Sequence, residues 1–188
     1  MPVYEPHEDS ELLRRFVERE ARGAVLDMGT GTGVLALAAA QKDEVTSVLA
    51  VDNDDDALTW LRQTLQKRGA DGKRPITIVK SDLFTALGDQ RFDTIICNPP
   101  YLPDEEHDAH PALYGGPGGW EFIARFLDGA KSHLEKDGSI LLLFSSLSNR
   151  ERVIQHMKER AYRFEELAVE YHFFEQLYVY RLWRHGDD

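Results

Sequence analysis

Short apolar runs alternate with helix-length amphipathic segments along most of this chain. No other feature limits the fold as much. Runs over 24–27, 47–51, 76–79, 92–97 and 140–144 each read as a buried strand. Helical patterning occupies 8–20, 34–41, 54–68, 118–134 and 149–159. In the first of these, Leu12, Leu13, Phe16 and Val17 share a face, and Asp9 or Ser10 is placed to cap the helix. Gly69 stops the third helix, and Gly138 closes a turn after the fourth. Strands that alternate with helices build a mainly parallel sheet covered on both faces. Two last strands, 164–173 and 176–183, stand too close together for a parallel crossover, so they pair antiparallel. The expectation is an α/β fold with a seven-stranded, mostly parallel sheet, an antiparallel C-terminal strand and helices on both faces.

The first strand runs into Leu26-Asp27-Met28-Gly29-Thr30-Gly31-Thr32-Gly33 and then into a helix. Glycines let such a loop turn tightly and approach a ligand closely. The helix behind it offers N–H groups that suit an anion. Two further acids stand at the same sheet edge. Val51-Asp52 ends the second strand, which suits ribose hydroxyls, and Asp82 follows the third. The spacing G-x-G-x-G differs from the dinucleotide fingerprint G-x-G-x-x-G. Asp27 just before the glycines would repel a phosphate and attract an ammonium group. A nucleoside with a cationic amino-acid tail fits both ends, and S-adenosylmethionine is such a molecule. A bland reading makes the three acids solvated strand ends.

The fourth strand ends in Cys97-Asn98-Pro99-Pro100-Tyr101. Each proline lacks an N–H and fixes its own φ, so neither helix nor ladder continues. The stretch is rigid and rich in acceptors at the C-terminal edge of the sheet, where an α/β enzyme holds its ligand. Such a cluster suits a substrate –NH2 group. Cys97 reads as a small buried residue rather than a nucleophile. Trp60, Trp120 and Trp183 are expected in the core or on helix faces.

A chain of 188 residues suits one domain, 1–188, and no domain boundary is visible. Net charge is −11, and four acids crowd into residues 52–56, which weighs against a nucleic-acid substrate and favours a protein or basic partner. A single cysteine rules out an intrachain disulfide and a cysteine zinc cluster. The first residues lack a signal peptide's apolar run and no segment approaches bilayer length, so a cytoplasmic, membrane-free protein is expected. The loop over 102–117 is long enough to be a functional flap. His107 and His110 lie in it beside Asp104, Glu105, Glu106 and Asp108, but their spacing fits no ligand motif, so no metal is expected.

Acid-x-Gly-x-Gly-x-Gly, the acid closing strand two, the Asp after strand three and Asn-Pro-Pro-Tyr together resemble a Rossmann-like class I methyltransferase. Asn-Pro-Pro-Tyr is similar to enzymes that methylate a planar nitrogen, among them adenine-N6, cytosine-N4 and HemK-type glutamine-N5 methyltransferases. Val3-Tyr4-Glu5-Pro6-His7-Glu8-Asp9-Ser10 resembles a segment of the short archaeal and eukaryotic HemK-type branch. Pro111-Ala112-Leu113-Tyr114-Gly115-Gly116-Pro117-Gly118-Gly119 resembles the glycine loop of HemK-type enzymes. The bacterial enzymes carry a separate N-terminal helical domain; here three residues precede Tyr4, as in the short branch.

The resemblance implies S-adenosylmethionine as cofactor. It implies that Asp27, Gly29, Thr30, Gly31 and Gly33 surround the methionine end. Asp52 and Asn53 would face the ribose, and Asp82 and Leu83 the adenine. Ser10 would reach the cofactor from residues 1–22, a helical segment capping the site, and Asn98 would stand between cofactor and substrate. Asn98, Pro99, Pro100 and Tyr101 would be the catalytic residues. Asn98 Oδ1 and the Pro99 carbonyl would hold the substrate nitrogen, and Tyr101 would stack on the flat group. The implied substrate is the glutamine of the Gly-Gly-Gln motif in a class-I translation release factor. An adenine-N6 methyltransferase acting on DNA or RNA is the alternative, and a non-catalytic scaffold a third reading. The branch also implies a small zinc-binding activator protein, expected to cover an apolar edge near 76–79.

Overall fold

A computed structural model describes residues 8–68, 73–103 and 114–184. Seven strands form one sheet among them: β1 (Gly23–Met28), β2 (Val45–Asp52), β3 (Ile76–Lys80), β4 (Phe92–Cys97), β5 (Leu134–Ser145), β6 (Tyr162–Tyr171) and β7 (Gln176–Arg184). Their order is β3-β2-β1-β4-β5-β7-β6. All neighbours pair parallel except β7, which runs antiparallel to both β5 and β6. One reversed strand at the C-terminal side is what the short β6–β7 connection demanded.

Among the described residues five α-helices flank the sheet: α1 (Glu8–Glu20), α2 (Val34–Ala39), α3 (Asp55–Arg68), α4 (Glu121–Ala130) and α5 (Arg150–Glu159). Alternate side chains of each central strand enter opposite cores, because the side-chain period of a strand is two. Ile140, Leu142 and Phe144 of β5 join Ile123, Phe126 and Leu127 of α4 with Val153 and Met157 of α5. Leu141 and Leu143 join Leu12, Leu13, Phe16 and Val17 of α1 with Leu35, Ala36 and Ala39 of α2. Both faces of β5 are therefore apolar over 140–144, which explains the unbroken hydrophobic run there.

Several boundaries differ from the sequence reading. The helix expected over 118–134 begins only at Glu121, because Gly119 has φ +75°, which a helix cannot hold. It ends at Ala130, a single 3-10 turn follows, and β5 already starts at Leu134, fully buried beside Phe92. Gly138 is thus inside β5 rather than in a turn. The β4–β5 register slips there, from Phe92↔Leu134 to Thr94↔Ser139. A Cβ on Gly138 would lie 2.9 Å from the Phe92 carbonyl, so the bulge needs glycine. Phe173, expected inside a strand, lies in the β6–β7 turn. With Phe174 it makes an edge-to-face pair that is almost fully exposed. Trp120 is partly buried and packs against the core, Trp183 is partly buried on β7, and Trp60 lies half exposed on the face of α3. No helix among the described residues is long and apolar enough to cross a membrane.

Candidate functional site

β1 and β4 lie side by side, with Asp27 opposite Ile96 and Met28 opposite Cys97. The chain runs outward from β1 through β2 to β3 on one side, and from β4 through β5 on the other. The glycine loop and Asn98 therefore leave adjacent strands at the point where the topology reverses, which is where open α/β sheets bind ligands. The edge also receives Asp52 from β2 and Ser81-Asp82 after β3, tied together by the Ser81 N–H donating to the Asp52 carbonyl at 2.9 Å.

The loop is built from left-handed glycines. Gly29, Gly31 and Gly33 have φ of +72°, +52° and +82°. A Cβ on Gly33 would lie 2.3 Å from Leu61 Cδ1 of α3, so close packing also requires that glycine. Gly29 and Gly31 are different: a Cβ there would meet nothing within 4 Å among the described residues. Among the described residues the loop thus has open space over it at the mouth of the sheet.

Asp27 sits beneath the loop and is 1% exposed. Its Oδ2 accepts hydrogen bonds from Thr30 Oγ1 at 2.6 Å and from the Ala36 N–H at 3.0 Å. Its Oδ1 is buried without a partner among the described residues. The Ala36 N–H belongs to the first turn of α2, so a donor expected to serve an anion is taken by this carboxylate instead. Burial pushes the Asp27 carboxyl up to about 6; the Thr30 and Ala36 bonds pull against that, and the Asp52 charge adds to it. Asp52 accepts from the Gly31 N–H at 2.8 Å with Oδ2 and from the Asp54 N–H at 3.0 Å with Oδ1. Burial raises its carboxyl as well, against the backbone bonds that lower it. Each carboxylate oxygen retains a further lone pair for a hydroxyl donor. Asn53 follows, exposed.

Asn98 is held by α1. Its Nδ2 donates to Asp9 Oδ2 at 3.1 Å and to Ser10 Oγ at 3.2 Å, while Oδ1 is buried without a partner among the described residues. Asp9 and Ser10 are each 4% exposed. Helix α1 begins at Glu8, so both residues lie inside its first turn, and their side chains turn to Asn98. The expectation that one of them caps the helix is corrected accordingly. Ser10 was anticipated at the site; Asp9 was not, because nothing in its local sequence points 89 residues ahead to its partner.

Leu83 is nearly buried in the left-handed region at φ +48°, uncommon for a non-glycine residue. The preceding Asp82 is exposed and accepts from Arg125 Nη2 of α4 at 2.7 Å. Cys97 is fully buried, and burial holds its thiol well above the ordinary value, which leaves no thiolate for nucleophilic work. Residues 1–7 and 104–113, with His107, His110, Ala112 and Leu113, lie outside the described residues.

A family model for the methyltransferase small domain matches residues 6–174, nearly the whole chain. This chain belongs to the methyltransferase small domain family. Over 187 residues it is 33% identical to a Methanocaldococcus jannaschii protein assigned as a protein N5-glutamine methyltransferase, covering 97% of this chain and 92% of that one. It is 31% identical to the release factor glutamine methyltransferase of Geobacter sulfurreducens, covering 73% of this chain and 51% of that protein. The chain thus spans about half the length of that bacterial relative. Among solved structures it superposes on a chain of the E. cuniculi Mtq2–Trm112 complex, responsible for methylation of the eRF1 translation termination factor. The TM-score is 0.76, with 28% identity and coverage of 98% and 99%.

In this methyltransferase domain the glycine turn over 115–119 packs directly on the backbone after Asn98. The Gly115 N–H donates to the Leu102 carbonyl at 2.8 Å, and Leu102 bridges to Tyr114. A Cβ on Gly115 would lie 2.7 Å from the Pro100 carbonyl oxygen, and one on Gly119 2.6 Å from that of Tyr101. Ser148 Oγ donates to the same Tyr101 carbonyl at 3.3 Å, and the Tyr101 side chain packs partly buried against the α1–α2 core. Pro99 is buried. Gly119→Ala is expected to displace this backbone and to strain φ, destabilising the fold by about 1–2 kcal/mol. Methyl transfer should fall more than cofactor affinity does. Thermal unfolding and calorimetry on the variant check both, and an unchanged transfer rate would detach the glycine turn from the site.

Proposed function

We propose that this domain transfers a methyl group from S-adenosylmethionine to the side-chain amide nitrogen of a glutamine, that of the Gly-Gly-Gln motif in a class-I release factor. The observation that carries the reading is the Asn98 amide. Its nitrogen is turned inward to Asp9 and Ser10, and its oxygen, at the strand edge, is an acceptor with no partner among the described residues. An acceptor there selects a substrate that brings N–H. The relatives named as glutamine methyltransferases favour an amide over a base, and the net charge of −11 points the same way.

The residues at the edge fit the cofactor. The orphaned Asp27 Oδ1 suits its cationic amino group, and the open space over Gly29 and Gly31 admits the methionine end beside Thr30 and Gly33. Asp52 with Asn53 suits the ribose diol, and Asp82 with Leu83 would border the adenine. Residues 1–22 would cap the site, with Ser10 reaching it from α1. When bound, the cofactor supplies an electrophilic methyl group on a sulfonium.

The chain's own contribution is positional and electrostatic. An amide nitrogen is a poor nucleophile because its lone pair is delocalised into the carbonyl. In this reading Asn98 Oδ1 and the Pro99 carbonyl accept its two N–H groups, fix it in line and offset positive charge as it develops. Pro100 keeps the carbonyls rigid, and Tyr101 borders the flat group.

The E. cuniculi match is a chain from a two-protein complex. The sheet edge best placed for a corresponding partner is β3, which among the described residues pairs on one side only and leaves Thr77 exposed with Ile76, Ile78 and Val79 part-exposed. A small zinc-binding activator covering that edge, and a cytoplasmic location beside the translation factors, belong to the same proposal.

The test supplies methyl-labelled cofactor with a class-I release factor, its Gln→Ala variant in the Gly-Gly-Gln motif, or nucleic acid, with and without a candidate activator. Label is expected on the wild-type release factor alone. Label on nucleic acid and none on the protein would replace the reading with adenine methylation.

A further inference from the structure

We infer that Asp9 is a positioning residue: it sets which end of the Asn98 amide faces the substrate. The inference rests on the reading of Asn98 Oδ1 as the substrate acceptor. A primary amide has nearly the same shape at both ends, so packing alone does not distinguish its oxygen from its nitrogen. Turned by half a rotation, Asn98 would present two N–H donors to a substrate that itself offers N–H, and the clamp would be lost.

The partners of Nδ2 decide the orientation unequally. Ser10 Oγ, at 3.2 Å, can accept or donate, so it tolerates either end of the amide. Asp9 as a carboxylate can only accept. In the turned orientation its Oδ2 would face the Asn98 oxygen at about the 3.1 Å now spanned by a hydrogen bond, lone pair against lone pair, in a place where Asp9 is 4% exposed. Buried acceptors in such contact are strongly disfavoured. Asp9 is itself held in place: its Oδ1 accepts the Ser10 N–H at 2.7 Å, and its charge sits in the first turn of a 13-residue helix, at the positive end of the dipole.

The arrangement makes α1 part of the reaction site rather than only its cover. Leu12, Leu13, Phe16 and Val17, all buried, anchor that helix in the core independently of Asp9. Removing the carboxylate therefore leaves the helix docked.

The test is Asp9→Asn in the full chain. Asparagine keeps the size but carries its own NH2, which can face the Asn98 oxygen and make the turned orientation acceptable. Two readouts are taken. The first is hydrogen exchange of the Asn98 side-chain NH2 by NMR, its signal assigned by its loss in Asn98→Ala; exchange is expected to quicken at least tenfold, about what loss of one buried charge-assisted bond allows. The second is release-factor methylation, where kcat is expected to fall about a hundredfold, the scale of misplacing a reacting group. Cofactor affinity and thermal midpoint should stay near wild type. Unchanged exchange overturns the proposal, whatever the activity. Asp9→Asn turnover within twofold of wild type, with Asn98→Ala inactive, also overturns it. If Asn98→Ala remains active, the clamp reading fails instead, and quickened exchange in Asp9→Asn still supports the positioning role.

Discussion

Asn98→Ala is expected to lower methyl transfer by about 10²–10³-fold while leaving S-adenosylmethionine affinity nearly intact. The scale is that of removing one pre-organised group that opposes developing charge in an active site. The direction follows from where the two ends of the amide point. Its nitrogen is bonded to Asp9 and Ser10, which hold the amide in place, whereas its oxygen has no partner among the described residues and, in the proposed reading, takes a substrate N–H. Truncation also removes the bonds that Asp9 and Ser10 accept from Asn98, which costs about 1–3 kcal/mol of stability. Single-turnover transfer at saturating protein should therefore be compared with thermal unfolding and cofactor calorimetry on the same preparation. A transfer rate within threefold of wild type would remove Asn98 from catalysis.

Local periodicity carried the fold. Helix α1 begins and ends where the spacing of Leu12, Leu13, Phe16 and Val17 placed it, and β4 matches its apolar run to the residue. The start of β5 was hidden because Glu135, Lys136 and Asp137 interrupt the apolar pattern across a bulge, which only the partner strand makes visible. The start of α4 was overrun because a glycine at φ +75° looks the same in sequence as one in a helix. In the candidate site, the positions at the strand ends were legible: the alternation of runs places Asp27 near the end of β1, Asp52 at the end of β2 and Asn98 just after β4. Contacts set by tertiary packing were not. Asp9 offered only a local role as a cap, and the two glycines pressed on the Pro100 and Tyr101 carbonyls entered through resemblance, with no physical reason until the backbones met. A similar limit held for Asp27. Its position was readable, but its first partners, Thr30 Oγ1 and the Ala36 N–H, show that the start of α2 is neutralised from within and is not left open to a phosphate.

That carboxyl gives the second large effect, a pH dependence of cofactor binding. Asp27 is held at about 6 against an ordinary 3.8, chiefly by burial, and in the proposed reading only its ionised form attracts the cationic tail. Affinity for S-adenosylmethionine should therefore rise about tenfold per pH unit up to about 6 and level off above it, since the competent fraction scales the apparent constant. Stability of the ligand-free protein should move the other way. The folded state binds this proton more tightly than the unfolded chain does. The contribution of the neutral carboxyl is thus complete below about 4 and is lost as pH rises through about 6, roughly 3 kcal/mol in all. Asp52 and the Cys97 thiol are the neighbouring groups that feel the same charge. Asp27→Asn isolates the effect from both. The difference in unfolding free energy between wild type and variant should decline from pH 4 to 6 and stay flat beyond. The variant should bind cofactor about a hundredfold more weakly at pH 7.5, as expected when a buried charge pair loses one partner, and with no step near 6. Calorimetry and denaturant unfolding across that range decide it. A variant that keeps the wild-type pH profile would mean that the buried charge opposite the cofactor is not Asp27.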